Sequence, residues 1–159
     1  MTVLCSYTNY NRSEASVFDD TAFHLMRVIL QEHGARWAER LPDLTKPQYA
    51  VLEALDDTGG LDQKAVGEAS ATTKATLTEM LGRMETRGLI ERRADAGDAR
   101  RRLVLLTSAG AAKLREARVV AGALEREMLG ALPSDEVARL TETLAALRGA
   151  LRLRSDGAS

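Results

Sequence analysis

Between Leu61 and Thr107 the spacing of apolar residues switches from a helical period to a strand period, and few folds accommodate that order in so short a span. Asp62 is placed to cap a short helix carrying Val66 and Ala69, Ser70-Ala71-Thr72 supplies a turn, and Thr73 opens a second helix. In the second helix Leu77, Met80, Leu81 and Met84 stand at i, i+3, i+4 and i+7, so one face is apolar. Gly88 suits the left-handed residue that stops a helix. Leu89–Arg93 and Arg102–Leu106 then read as the strands of a hairpin, closed by the charged turn from Ala94 to Arg102. Helix, turn, helix, glycine stop and hairpin is the order of a winged helix-turn-helix, with the second helix as the reading element and the hairpin as its wing.

With that apolar face turned inward, the helical period sends Lys74, Ala75, Thr78, Glu79, Gly82 and Arg83 outward and leaves Thr76 near the border. Such a small, polar face suits the major groove of duplex DNA. Thr73, Thr76 and Thr78 can meet phosphates or thymine methyls, Lys74 and Arg83 can meet phosphate or guanine, and Glu79 can accept from cytosine. At the wing, Asp95, Asp98, Arg100, Arg101 and Arg102 crowd a turn containing Gly97, just after Arg93. An arginine on a β-turn has the shape to enter a narrow minor groove, where the potential is most negative. Arg100 is assigned that inserting role, Asp98 is assigned to brace its guanidinium, and Arg93 and Arg101 are assigned to the same interface.

The segments Leu44-Thr45-Lys46-Pro47-Gln48-Tyr49-Ala50-Val51-Leu52, Thr73-Lys74-Ala75-Thr76, Arg87-Gly88-Leu89-Ile90-Glu91-Arg92-Arg93, Asp98-Ala99-Arg100 and Leu106-Thr107-Ser108-Ala109-Gly110 follow in order. Together they resemble the MarR family of bacterial transcription regulators, over a span from about Thr21 to the end of the last helix. Ser70 departs from a frequent leucine and Ala71 from a frequent turn glycine. The resemblance implies a DNA-binding regulator in which small, often aromatic or anionic molecules bind between the dimer helices and the DNA lobe. Binding there shifts the lobes away from the spacing that fits DNA.

A formal net charge of −1 over 159 residues seems at odds with a polyanionic partner, so the distribution of charge matters more than its sum. Arg83, Arg87, Arg92, Arg93, Arg100, Arg101 and Arg102 fall in one segment. Asp19, Asp20, Glu32, Asp56, Asp57, Glu125, Glu127, Asp135 and Glu136 fall elsewhere, which predicts a basic reading surface on an otherwise acidic protein. No run has the length of a membrane span, and the start Met1-Thr2-Val3-Leu4-Cys5-Ser6-Tyr7 has no basic segment leading into an apolar one, so a cytoplasmic protein without membrane contact is expected. The single cysteine, Cys5, allows no internal disulfide and is too few for a structural zinc site, and no cofactor is expected.

Outside the winged lobe the chain reads as long helices, giving a mainly α fold with a small β-wing. Residues 1–19 form a flexible arm and 20–43 a first helix with Phe23, Met26, Leu30, His33 and Trp37 on one seam, widened by Leu25, Val28 and Ile29. Residues 44–107 form the DNA-binding lobe, opened by a capping box from Thr45 to Gln48 with Pro47 in the first turn. Residues 108–154 form two long helices, one from Ser108 to Leu132 and, after Pro133 with Ser134 as cap, one carrying Val137, Leu140, Leu144, Leu147 and Leu151; 155–159 are a tail. These helices hold more apolar surface than one lobe can cover, which predicts a twofold dimer in which long helices from both termini bury one another. Two reading helices then require half-sites roughly 34 Å apart, hence a pseudopalindromic operator.

A small-molecule effector is expected at His24 and Arg27, one turn apart on the first helix, with Trp37 and Tyr49 as an aromatic wall and Arg12 reaching in from the arm. His33 lies on the apolar seam and is read as a satisfied core or interface histidine. Some proteins that the chain resembles sense oxidants through a cysteine near the first helix, which makes Cys5, with Tyr7 and Tyr10 near it, an alternative sensor. A winged-helix module for protein contact or non-specific DNA binding is a further alternative. An enzyme is not expected: His24 and His33 lie nine positions apart without a nucleophile motif, and Gly59-Gly60 forms no phosphate loop.

Overall fold

The computed structural model describes residues 21–95 and 102–156. The arm with Arg12 and Cys5, and the wing tip with Asp98, Arg100 and Arg101, lie outside the described residues. The elements run α1 (Ala22–Arg40), α2 (Lys46–Leu55), β1 (Leu61–Asp62), α3 (Gln63–Ala69), α4 (Lys74–Thr86), β2 (Ile90–Ala94), β3 (Arg102–Leu106), α5 (Ser108–Leu129) and α6 (Ser134–Asp156). No helix among the described residues is long and apolar enough to cross a membrane.

The winged lobe follows the expected order, with boundary shifts that have physical causes. Asp62 caps α3 by accepting from the Ala65 N–H at 2.8 Å, and Leu77, Met80, Leu81 and Met84 are all buried. The hairpin pairs Ile90 with Leu106 through to Ala94 with Arg102, so β2 begins one residue later than the sequence suggests. Leu89 is instead taken up by the helix stop: its N–H donates to the Met84 carbonyl at 3.0 Å across Gly88, whose φ of +70° is the left-handed conformation that favours glycine. A third strand, not foreseen from the sequence, places β1 on the far side of β3, with Leu61 opposite Val104, and gives the sheet order β1-β3-β2. Two residues are too few for any alternating pattern to announce a strand.

The C-terminal helices also differ at their ends. α5 stops at Leu129 with Gly130 as its cap residue, short of Leu132. Ser134 is the first residue of α6 and not its cap; the Pro133 carbonyl accepts the N–H groups of Glu136 and Val137 at 3.0 and 3.1 Å. α6 runs through Asp156, beyond the expected boundary at 154.

The core lies where α2, α3, α4, the sheet and α5 meet, and α1 reaches it through its C-terminal half. Val51, Leu52, Val66, Leu81, Met84, Leu114 and Leu124 are buried there. Trp37 is 3% exposed, and its indole N–H donates to the Leu44 carbonyl at 2.6 Å, which fixes the bend between α1 and α2. The capping box of α2 is complete, with Gln48 N–H donating to Thr45 Oγ1 and Thr45 N–H donating to Gln48 Oε1. By contrast, Phe23, Leu25, Val28, Ile29 and Leu30 on the first half of α1 are exposed, as are Leu140, Leu144, Leu147 and Leu151 on α6. A single chain therefore leaves both apolar strips facing solvent.

Thr107 joins three elements. Its hydroxyl donates to the Gly88 carbonyl at 2.6 Å and accepts from the Gly110 N–H at 3.0 Å, while its own N–H donates to the Leu89 carbonyl at 3.3 Å. The first turn of α5 consequently rests on the backbone at the end of α4, so close that a Cβ on Gly110 would lie 2.0 Å from the Leu89 carbonyl oxygen. Gly110→Ala is expected to cost at least about 2 kcal/mol, because the obstacle is backbone and cannot rotate away; the midpoint of urea unfolding reads this directly. The turn between α3 and α4 holds the opposite case: Ala71 adopts φ +52°. Ala71→Gly is expected to stabilise by about 0.5–1 kcal/mol, relieved native strain outweighing the added entropy of the unfolded chain, with a raised melting temperature as the measure.

Candidate nucleic-acid interface

The reading surface is built on α4 because burial of its apolar face leaves the opposite face nothing to pack against. Thr73, Lys74, Ala75, Thr76, Thr78, Glu79 and Arg83 are all exposed, and Gly82 is half-buried. Thr76, placed near the border by the helical period, sits fully on the open face. The caps of α1, α2, α3 and α5 each accept an N–H from their own helix, whereas Thr73 Oγ1 donates to Thr76 Oγ1 at 3.0 Å and makes no such bond. The first-turn N–H groups of α4 therefore receive no cap from Thr73, and they carry the positive end of the helix dipole.

Side-chain pairing tempers the charge expected here. Arg83 lies 3.4 Å from Glu79, one turn back, and both are well exposed. Arg92 is drawn off the surface: Nη2 lies 2.7 Å from Glu85 Oε2 and Nε donates to the same oxygen at 2.9 Å, which braces β2 against α4. Arg93 pairs with Glu91 at 2.7 Å but stays 66% exposed, and Arg87 lies 3.8 Å from Asp43. The clean division into a basic reading segment and acidic surroundings does not hold, because Glu79, Glu85 and Glu91 interleave with the arginines. Exposed pairs of this kind hold their partners weakly, so Arg83 and Arg93 remain able to exchange a carboxylate for a phosphate, while Arg92 is structural.

Gln63, which sequence reasoning passed over, reaches from the start of α3 to the middle of α4. Its Nε2 donates to Thr78 Oγ1 at 2.8 Å, and Thr78 Oγ1 donates in turn to the Lys74 carbonyl at 3.0 Å. Nothing local marks such a contact, since it joins residues of two helices across the turn. Two clefts flank the same helix, one of about 450 Å³ beside Gln63, Lys64 and Lys74 and one of about 630 Å³ beside Asp43, Thr76, Arg83 and Arg87.

Among the described residues expected at the effector site, Trp37 and Tyr49 are brought together, with ring centres 5.1 Å apart. Trp37 is a core residue with its N–H already spent, which removes most of the surface a ligand wall would need. His24 is half-buried, and Arg27 Nη1 donates to Gln31 Oε1 at 3.3 Å. Neither cleft beside α4 has His24, Arg27, Trp37 or Tyr49 in its lining. Trp37 instead neighbours His33, at 6.3 Å between ring centres, whose Nδ1 lies 2.5 Å from Lys46 Nζ. Burial, then the adjacent ammonium of Lys46, lowers the His33 pKa, and burial lowers that of Lys46; the imidazole is neutral and accepts from the ammonium.

Polar contacts fasten α5 to the rest of the lobe at three levels. Lys113 Nζ meets Asp43 Oδ2 at 2.7 Å, and this hydrogen bond keeps the Asp43 carboxyl below its usual range. Arg118 grips Glu53 of α2 with two bonds, at 3.0 and 2.7 Å, and Asp56 at 2.7 Å. The Arg118 bond lowers the Glu53 pKa, while the guanidinium's own pKa is raised by Glu53 and Asp56. Tyr49 donates to the same Glu53 at 2.5 Å, and burial followed by this bond pushes its pKa up to about 12. Glu127 takes Arg36 at 2.8 Å and Arg40 at 2.5 Å, and the Arg40 bond leads the causes that lower its pKa.

Residues 43–101 match the MarR family model. The chain is 51% identical over 115 residues to the transcriptional regulator HosA of Escherichia coli O127:H6, covering 72% of this chain and 85% of HosA. It is similar to the structure that describes regulation of DNA binding of Bordetella bronchiseptica BpsR by 6-hydroxynicotinic acid, with a TM-score of 0.78, 29% identity, and coverage of 85% of this chain and 98% of BpsR. It is also similar to a mutant MarR of E. coli complexed with operator DNA, with a TM-score of 0.74, 27% identity, and coverage of 84% and 99%. The winged lobe, its exposed reading helix and these likenesses agree: the chain belongs to the MarR family of transcriptional regulators.

Proposed function

We propose that this protein is a homodimeric repressor that binds a pseudopalindromic operator and is released from it by a small anionic, aromatic ligand. The observation that carries the reading is the open polar face from Thr73 to Arg83 on a helix whose other face is locked into the core. Thr73, Lys74, Thr76, Thr78, Glu79 and Arg83 take the major groove, and Arg93, Asp98, Arg100 and Arg101 take the backbone and minor groove at the wing. The exposed apolar strips on α1 and α6 support a second copy as the partner that covers them. BpsR, whose DNA binding is regulated by 6-hydroxynicotinic acid, supports an aromatic acid as the class of effector. His24, Arg27 and Tyr49, with Arg12 from the arm, form the ligand set, Trp37 serving only as backing for Tyr49.

The test is a gel-shift and anisotropy series with duplex DNA from upstream of the gene, together with light scattering. The expected result is a dimer in solution that binds one duplex per dimer. Lys74→Ala is expected to weaken binding about uniformly across sequences and to lower the salt dependence by about one phosphate per subunit. Arg100→Ala is expected to cost about 1–3 kcal/mol per half-site. A monomer with no preference among duplexes would overturn the proposal. A panel of hydroxylated benzoic and nicotinic acids tests the effector: release of DNA by an acid, lost in Arg27→Ala, supports the assignment, and stabilisation without release contradicts it.

A further inference from the structure

We infer that Gln63 is a specificity-positioning residue: by holding the Thr78 hydroxyl, it makes Thr78 present its γ-methyl to the major groove as a thymine-reading surface. The inference rests on the operator-binding reading proposed above.

A threonine hydroxyl has one hydrogen and two lone pairs. In Thr78 the hydrogen is committed to the Lys74 carbonyl at 3.0 Å. That carbonyl can only accept, so the Gln63 amide must approach Thr78 with its N–H side, which fixes the donor in the 2.8 Å contact as Nε2. One lone pair is thereby filled as well. Phosphate oxygens, guanine O6 and N7, adenine N7 and thymine O4 all need a donor, and Thr78 has none left to offer. What remains on this exposed side chain is one lone pair, which can accept only from cytosine N4 or adenine N6, and the methyl, whose match is the C5-methyl of thymine and which the loss of that methyl in deoxyuridine singles out. Without Gln63 the hydroxyl would be tied at one point only and could turn to a phosphate. Gln63 therefore acts through Thr78, from another helix.

The experiment uses the full chain and a duplex enriched by it from a random pool, with each thymine in turn replaced by deoxyuridine, which lacks only the C5-methyl. The wild type is expected to lose about fourfold in affinity per half-site at one thymine, the worth of one buried methyl group. Thr78→Ser, which keeps the hydroxyl and both of its bonds, is expected to lose that sensitivity. Thr78→Val, which keeps a methyl and removes the hydroxyl, is expected to retain it. Gln63→Ala is expected to reduce the thymine-to-deoxyuridine ratio toward one without changing the salt slope or the melting temperature, and to have no such effect in the Thr78→Val background. Full sensitivity in Thr78→Ser, or an unchanged ratio in Gln63→Ala, overturns the inference while operator binding itself stands. Failure of the wild type to enrich any sequence overturns both.

Discussion

The hydroxyl of Thr107 closes the junction on which the architecture depends. It bonds the carbonyl of Gly88 and caps α5 through Gly110, so the stop of the reading helix, the end of the central strand and the start of the longest core helix share one point. Each contact forces the next. Gly88 must be left-handed to turn the chain into β2, the turn exposes its carbonyl to Thr107, and Gly110 must lack a side chain for α5 to approach. The direction of α5 relative to α4 is thus set by backbone geometry, and the contacts at Lys113, Arg118 and Glu127 hold the helix along the direction that the junction sets.

The winged lobe was legible because its elements announce themselves locally. Asp62, Thr45 and Gly88 are cap and stop residues with fixed chemistry, and the spacing of Leu77, Met80, Leu81 and Met84 survives packing unchanged. What sequence could not supply were features that exist only across elements. β1 is a strand solely because β3 is beside it, and Gln63 matters solely because Thr78 lies within reach. The aromatic grouping shows the same limit. Residue type alone suggests a ligand wall at Trp37, yet the Leu44 carbonyl seven residues away takes the indole N–H and draws the ring inward. His33, read as satisfied, does find a partner, but the partner is Lys46, and an ammonium beside an imidazole is not a pairing that charge rules suggest.

Charge on this face is more evenly mixed than a count of its arginines suggests. Counting arginines overstated the basicity of the reading surface, because Glu85 takes Arg92 for structural use and Glu79 and Glu91 stand beside Arg83 and Arg93. A surface with self-paired arginines attracts any polyanion, DNA included, less at long range than a purely basic one. An arginine so paired must first give up its carboxylate before it can meet any other anion, which lowers raw attraction.

α5 behaves as a stiff lever. Its 22 residues make a rod about 33 Å long, anchored at Thr107 and clasped again near its far end at Glu127. A tilt of roughly 5° about the Thr107 end would carry the other end through about 3 Å, close to the rise of one base pair. Because Glu127 holds Arg36 and Arg40 at 2.8 and 2.5 Å, a displacement of that size at the far end would part them, so α5 can swing against the lobe only by giving up that clasp.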